Sequence, residues 1–166
     1  MEPAETRRVH RGRLLRLDVE RWTDPNRERE VVRHPGSVGI LALTGAGHVV
    51  LVRQLREAVR DRLLEIPAGI RDARGEPGED TAQRELREET GYRATDLEPL
   101  GRIHTSPGFS DEVIDLFRAL AEPEGQPTEE GLEVVTMPLE DAVEAVRAGR
   151  ITDAKTAVAV LLAAGS

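Results

Sequence analysis

Glu85, Glu88 and Glu89 stand at positions i, i+3 and i+4 of a segment rich in helix formers, so their three carboxylates fall on one narrow helical face. Like charges at those spacings repel, and only Ala82 and Leu86 give the segment an apolar stripe. A hard divalent cation would turn the repulsion into binding, because Mg²⁺ takes oxygen ligands from one or two carboxylates together with substrate phosphates. The competing reading is a solvated face whose acids pair with Arg84 and Arg87, and the helix taken alone favours it, since charged faces are common and Glu is a good helix former.

The elements that must position this face can be read on either side of it. Asp80 with Gln83 three residues on has capping-box spacing, and Gly91 suits the position just past the last turn, so a helix is expected over Thr81 to Thr90. The polar stretch Arg71 to Asp80 reads as an exposed loop. Upstream, residues 14–22 and 28–33 read as a hairpin around the turn Asp24-Pro25-Asn26, and His34-Pro35-Gly36 breaks the chain. The apolar runs 38–43 and 49–52 read as strands joined at Gly45-Ala46-Gly47, with a short extended piece at 63–66. Downstream, 97–104 and 113–120 read as strands around the loop Thr105 to Glu112. Residues 122–131 read as a mobile acidic loop, 132–137 as a strand, and 138–148 and 154–164 as helices. Strands mixed with a few helices indicate an α/β or α+β sandwich.

Composition narrows the partners. The chain has 166 residues, room for one domain, with 39 % hydrophobic and 33 % charged residues, which suits a buried core under a charged surface. Cysteine is absent, so disulfides, thiolate metal sites and Cys nucleophiles fall away together. The longest apolar run, Ala157 to Ala164, is far short of a membrane span, and Met1 to Arg8 has no apolar core of a signal peptide; a cytoplasmic protein is expected. The net charge of −8 makes a nucleic acid a poor partner. An anionic small ligand needs local positive charge, from placed Arg side chains or from a cation held by carboxylates. Thr105, Ser106 and Ser110 lack the His/Asp partners of a covalent nucleophile.

The whole string from Gly69 to Tyr92 resembles the Nudix box, G-x5-E-x7-R-E-U-x-E-E-x-G-U, with U a bulky apolar residue. Glu76, Arg84, Glu85, Leu86, Glu88, Glu89, Gly91 and Tyr92 occupy its positions, while Gly69 stands one residue too far from Glu76. A one-residue insertion in the exposed loop accounts for that departure without moving the helix. Leu64-Glu65-Ile66-Pro67-Ala68-Gly69 before the box, and Ser106-Pro107-Gly108 after it, resemble the ADP-ribose pyrophosphatase branch, as do Arg53-Gln54-Leu55-Arg56 and Glu130-Gly131-Leu132-Glu133-Val134. Pro107 lies 15 residues after Tyr92, the spacing of that branch.

The resemblance implies an α/β/α sandwich around a mixed sheet, preceded by an antiparallel strand segment. Residues 1–36 would supply strands exchanged with the partner of a homodimer, and residues 37–166 the hydrolase domain. It implies Mg²⁺ or Mn²⁺ held by the carbonyl of Ala68 and by Glu85 and Glu89, with Glu88 as an additional ligand and Glu130 closing over the site as ligand or base. Glu89, Glu130 and Glu112 make up the implied catalytic set; Arg56, Arg33, Glu112, Pro107 and Gly108 make up the implied substrate-binding set, with Arg84 orienting the glutamates. Clustered cations neutralise a pyrophosphate and lower the pKa of bound water, and a nearby carboxylate takes its proton. The implied reaction splits ADP-ribose into AMP and ribose 5-phosphate. A nucleotide sugar, NADH or a flavin dinucleotide remains an alternative substrate, and a non-catalytic nucleotide sensor a further alternative. Glu65 is open to pairing with an Arg, Trp22 to a structural or interface role, and His104 to a structural one.

Overall fold

Two sheets and three helices make up the computed structural model, which describes residues 1–71 and 77–165. Glu76 and the loop immediately before it, where the extra residue falls, lie outside the described residues. The N-terminal sheet is an antiparallel meander of β1 (Glu5–Arg11), β2 (Arg16–Thr23) and β3 (Asn26–Arg33). The larger sheet is built from β4 (Ser37–Thr44), β5 (His48–Arg56), β6 (Asp61–Glu65), β7 (Ala68–Ile70), β8 (Tyr92–His104), β9 (Val113–Pro123) and β10 (Glu133–Pro138). Its main path runs β10-β5-β4-β9-β8, with β6 on β5 and β7 on β4. Only β4 and β9 pair in parallel, so the sheet is mixed, as expected.

The central strand is buried on both faces because β4 is apolar at successive positions rather than alternating ones. Val38, Ile40 and Ala42 pack with Phe117, Ala119 and Ala121 of β9 against Ala82 and Leu86 of α1 (Gly78–Thr90). Leu41 and Leu43 pack with Val49, Leu51 and Leu116 against the other side's helices, α2 (Leu139–Arg147) and α3 (Ala154–Ala164), through Ala142, Val143, Ala159 and Val160. One helix below and two above the sheet complete the sandwich.

Three local expectations are corrected. The helix bearing the glutamates begins at Gly78, with Pro77 at its cap and no side-chain capping bond, so Asp80 sits inside the first turn instead of capping it. Acids there still favour the helix N-terminus. Strand β1 was not expected; all seven of its residues are exposed, so it carries no apolar periodicity to read. The acidic loop after β9 is tied down: Glu124 and Gly125 donate backbone hydrogen bonds to Gly91 O, and Thr128 and Glu129 donate to Glu88 O at 2.8 and 3.0 Å. Gly91 ends α1 at φ 74°, as expected, and a Cβ there would come within 2.6 Å of Gly125 O.

Candidate active site

The loop bonds at the end of α1 decide which acids meet. Carboxylate oxygens of Glu85, Glu89 and Glu129 lie within 4.8 Å of one another. Glu85 and Glu89, one turn apart on α1, are buried; Glu129 arrives from the pinned loop and is exposed. Glu130, the neighbouring acid expected here, is not in this group, nor is Glu88, whose carboxylate pairs with Arg84 at 3.2 Å and is half exposed. Arg84 also reaches Glu85 at 2.7 Å.

Strand β7 closes the group from the other side. The backbone N–H of Ala68 donates to Glu89 Oε2 at 3.1 Å. Gly69 lies so close to Glu85 that an added Cβ would fall 1.9 Å from the carboxylate carbon. The glycine is therefore required by space: it lets the strand backbone approach the acid. Burial, with Glu129 and Glu85 adding repulsion, pushes the Glu89 carboxyl up to about 8, against the opposing pull of the Ala68 hydrogen bond. Burial likewise pushes the Glu85 carboxyl up, partly offset by Arg84. Three oxygen donors converging with too little positive charge to match them suit a hard divalent cation such as Mg²⁺ or Mn²⁺.

A cavity of about 530 Å³ opens over this group, lined also by His34, Ser37, Arg56, Glu112 and Lys155. Glu112 is fixed at its wall, accepting from Thr105 Oγ1 at 2.9 Å and from Ser37 Oγ at 3.5 Å, with His34 Nδ1 at 3.6 Å. Arg56 is gripped by Glu65 through two bonds of 2.7 Å, a bidentate pair that sets the guanidinium plane. Lys155 also pairs with Glu65, and reaches Asp153 at 3.0 Å. Burial alone would push the Glu65 carboxyl up, but the Arg56 bonds and the Lys155 charge outweigh it and hold it below the ordinary glutamate range. Asp153 caps α3 by accepting from Thr156 N, and Thr156 Oγ1 accepts from Ile66 N at 2.8 Å, which locks the helix start to the end of β6.

The remaining expected residues sit elsewhere. Arg33 is engaged by Asp18 at 3.3 Å, by Asp111 at 3.1 Å and by Glu20, and it does not line the cavity. Pro107 and Gly108 line a separate cavity of about 810 Å³ with Trp22, Arg27 and Arg29. Glu129 and Lys155 were not anticipated. Adjacent acids on a polar loop give no local signal to separate Glu129 from Glu130, whereas Lys155 carried one: it is the single lysine among 23 basic residues.

The chain is similar to known proteins over most of its length. A family model described as the NUDIX domain matches residues 33–158. An ADP-ribose pyrophosphatase of Bacillus subtilis is 41 % identical over 92 % of this chain and 86 % of its own length. A methanol dehydrogenase activator of Bacillus methanolicus is 38 % identical over 94 % of this chain and 88 % of its own. An ADP-ribose pyrophosphatase of Mycobacterium tuberculosis is 34 % identical over 96 % and 81 %. The crystal structure of an ADP compounds hydrolase superposes with a TM-score of 0.81, covering 99 % of this chain and 94 % of that one at 23 % identity, which shows a shared fold.

Proposed function

The chain belongs to the Nudix hydrolase family, and from that premise we propose that it cleaves the pyrophosphate bond of ADP-ribose to give AMP and ribose 5-phosphate. The observation that carries the reading is the convergence of Glu85, Glu89 and Glu129 beneath a cavity that also presents Arg56 and Glu112. The match to two ADP-ribose pyrophosphatases supports the choice of substrate.

In this reading Glu85, Glu89 and Glu129 would hold Mg²⁺ or Mn²⁺, with the carbonyl of Ala68, a residue lining the cavity, as a further oxygen ligand. When bound, such a cation would offset the charge of the pyrophosphate and make water a better nucleophile. Arg56, immobilised by Glu65, supplies a fixed charge-assisted donor to a substrate phosphate. Glu112 accepts from hydroxyls of the terminal ribose, its own orientation fixed by Thr105 and Ser37. The attacking water's oxygen joins one phosphorus, the bridging oxygen leaves with the other, and a carboxylate takes the proton. The loop acid's role, expected for Glu130, goes to Glu129 because its carboxylate joins the group, and Glu88 remains an outer acid tied to Arg84. We assign residues 1–36, whose strand β1 is exposed throughout, to exchange with a second copy, giving a homodimer with two chains' mass in sedimentation.

Hydrolysis of ADP-ribose, a nucleotide sugar, NADH and a flavin dinucleotide is the test, with and without Mg²⁺ and with ¹⁸O-labelled water. ADP-ribose should be preferred and metal-dependent, with AMP as product. The Glu129→Gln variant should lose more turnover than Glu130→Gln. Binding of ADP-ribose without cleavage of any compound would replace the hydrolase reading with a sensor.

A further inference from the structure

A second cavity, of about 370 Å³, adjoins the one over the glutamates: Arg13, Leu14 and Ile70 line both. Arg11, Arg16 and Arg71 complete its charged wall, and among the described residues no acid lines it. Several arginines elsewhere meet acids, as in Arg8 with Asp18, Arg56 with Glu65 and Arg102 with Asp115, while Arg7, Arg27, Arg60 and Arg150 stand apart from any described acid. In this cavity the unmatched arginines are gathered together. Arg11, Arg13 and Arg16 have no ion pair or side-chain hydrogen bond to any described residue, whereas Arg71 keeps Asp115 at one end only. The Nε atoms of Arg16 and Arg71 are buried with no acceptor among the described residues.

Buried donors without acceptors are costly, and crowding like charges adds to the cost. Both are relieved by an oxyanion, whose geometry the planar guanidinium matches. In a chain with a net charge of −8, a concave arginine cluster with no acid among its described lining residues is a local reversal of sign. A phosphate group, with a charge of about −1.5 to −2 at neutral pH, balances several guanidiniums better than a single carboxylate does.

We propose that this arginine cavity binds a further phosphate group carried by the substrate, so that a phosphorylated nucleoside diphosphate sugar spans the two cavities with its pyrophosphate over the glutamates. The proposal rests on the hydrolase reading for the placement of the pyrophosphate. The site chemistry of the arginines does not depend on it.

The test compares ADP-ribose with two relatives carrying one more phosphate, either on the adenosine 2′-hydroxyl or on the terminal ribose. Steady-state kinetics are measured for the full chain, for Arg11→Glu and for Arg16→Gln. At least one phosphorylated compound should have a kcat/KM about tenfold or more above that of ADP-ribose, the gain lying in KM. That preference should fall to about one in both variants while ADP-ribose turnover is retained. Arg11 is exposed on β1, which is also assigned to pairing with a second copy, so Arg11→Glu is compared at unchanged mass in sedimentation and then reads the site even where Arg16→Gln perturbs folding. If no compound is cleaved, the hydrolase reading fails, and calorimetric binding of the same compounds still decides the arginine site by the same ratio. Equal affinity for all three, or a preference that survives Arg11→Glu, overturns the proposal. So does Arg11-dependent binding of inorganic phosphate with no preference for a phosphorylated compound, which would make the cavity a free-anion site.

Discussion

Two clusters of buried acids in this chain have opposite electrostatics. Asp18 and Glu20 of β2 are buried, and Arg33 and Arg8 meet them; the Arg8 hydrogen bond, with help from Arg33, holds the Asp18 carboxyl below the ordinary aspartate range. Glu85 and Glu89 of α1 are equally buried, yet their carboxyls are pushed up, because burial and a third carboxylate outweigh Arg84. Matched charge tightens a sheet. Unmatched charge is held in place by the surrounding fold at a cost in stability, which makes it the better mark of a working site.

Substitutions should separate the two clusters, and the largest effect is expected where charge is unmatched. Glu89→Gln should lower kcat by about 10²–10⁴-fold while the metal-free thermal midpoint stays or rises, since a neutral amide replaces a carboxyl that burial disfavours in its charged form. A fall in the midpoint with turnover retained would make Glu89 a structural acid. Gly69→Ala comes next. Its Cβ must displace the Glu85 carboxylate, a movable group, so the fold should survive with about a 10²-fold loss of kcat.

In the matched cluster the readout changes from rate to stability. Arg33→Ala leaves Glu20 and part of Asp18 uncompensated and should cost about 2 kcal/mol in urea unfolding, below the full buried-pair figure because the guanidinium is partly exposed. Turnover per folded molecule should hold, since Arg33 does not line the cavity over the glutamates; a loss confined to KM would return it to the substrate.

The smallest effect is in the pH dependence, and the two clusters differ in sign. Between about 4.5 and about 8 the folded, metal-free chain keeps the Glu89 proton that the unfolded chain has released. That contribution to stability is therefore complete below about 4.5 and lost as pH rises through about 8. Asp18 runs the other way, contributing above its unfolded value of 3.8 and fading as pH falls below it. Because a cation must displace the Glu89 proton, added Mg²⁺ should raise the thermal midpoint more at about pH 8 than at about pH 6. An equal rise at both would show that the cation is held elsewhere.

What could be read in the chain follows from how far each feature reaches. The glutamate face of α1 was legible because helical spacing is local, and the apolar runs of β4 and β5 because a doubly buried strand needs unbroken Val, Ile and Leu. Gly69 was legible as part of a motif, although its reason, the 1.9 Å approach of a Cβ to Glu85, belongs to the packed site. The all-exposed strand β1 left no trace, since it is held to β2 by backbone bonds and by ion pairs such as Arg8 with Asp18, neither of which needs apolar periodicity.

The sequence by itself determined the sandwich, the glutamate face of one helix and membership of a hydrolase family, all of which rest on local periodicity or on a contiguous motif. Only the tertiary structure decided which loop acid joins that face. Two backbone bonds to Glu88 O bring Glu129 into the group, and nothing in the composition of the loop distinguishes it from Glu130. It also decided that Arg33 closes a structural charge cluster while Arg11, Arg13 and Arg16 are left unmatched. An arginine's partners are set by what the fold brings within a few ångströms of it, and that distance is not written in the order of residues along the chain.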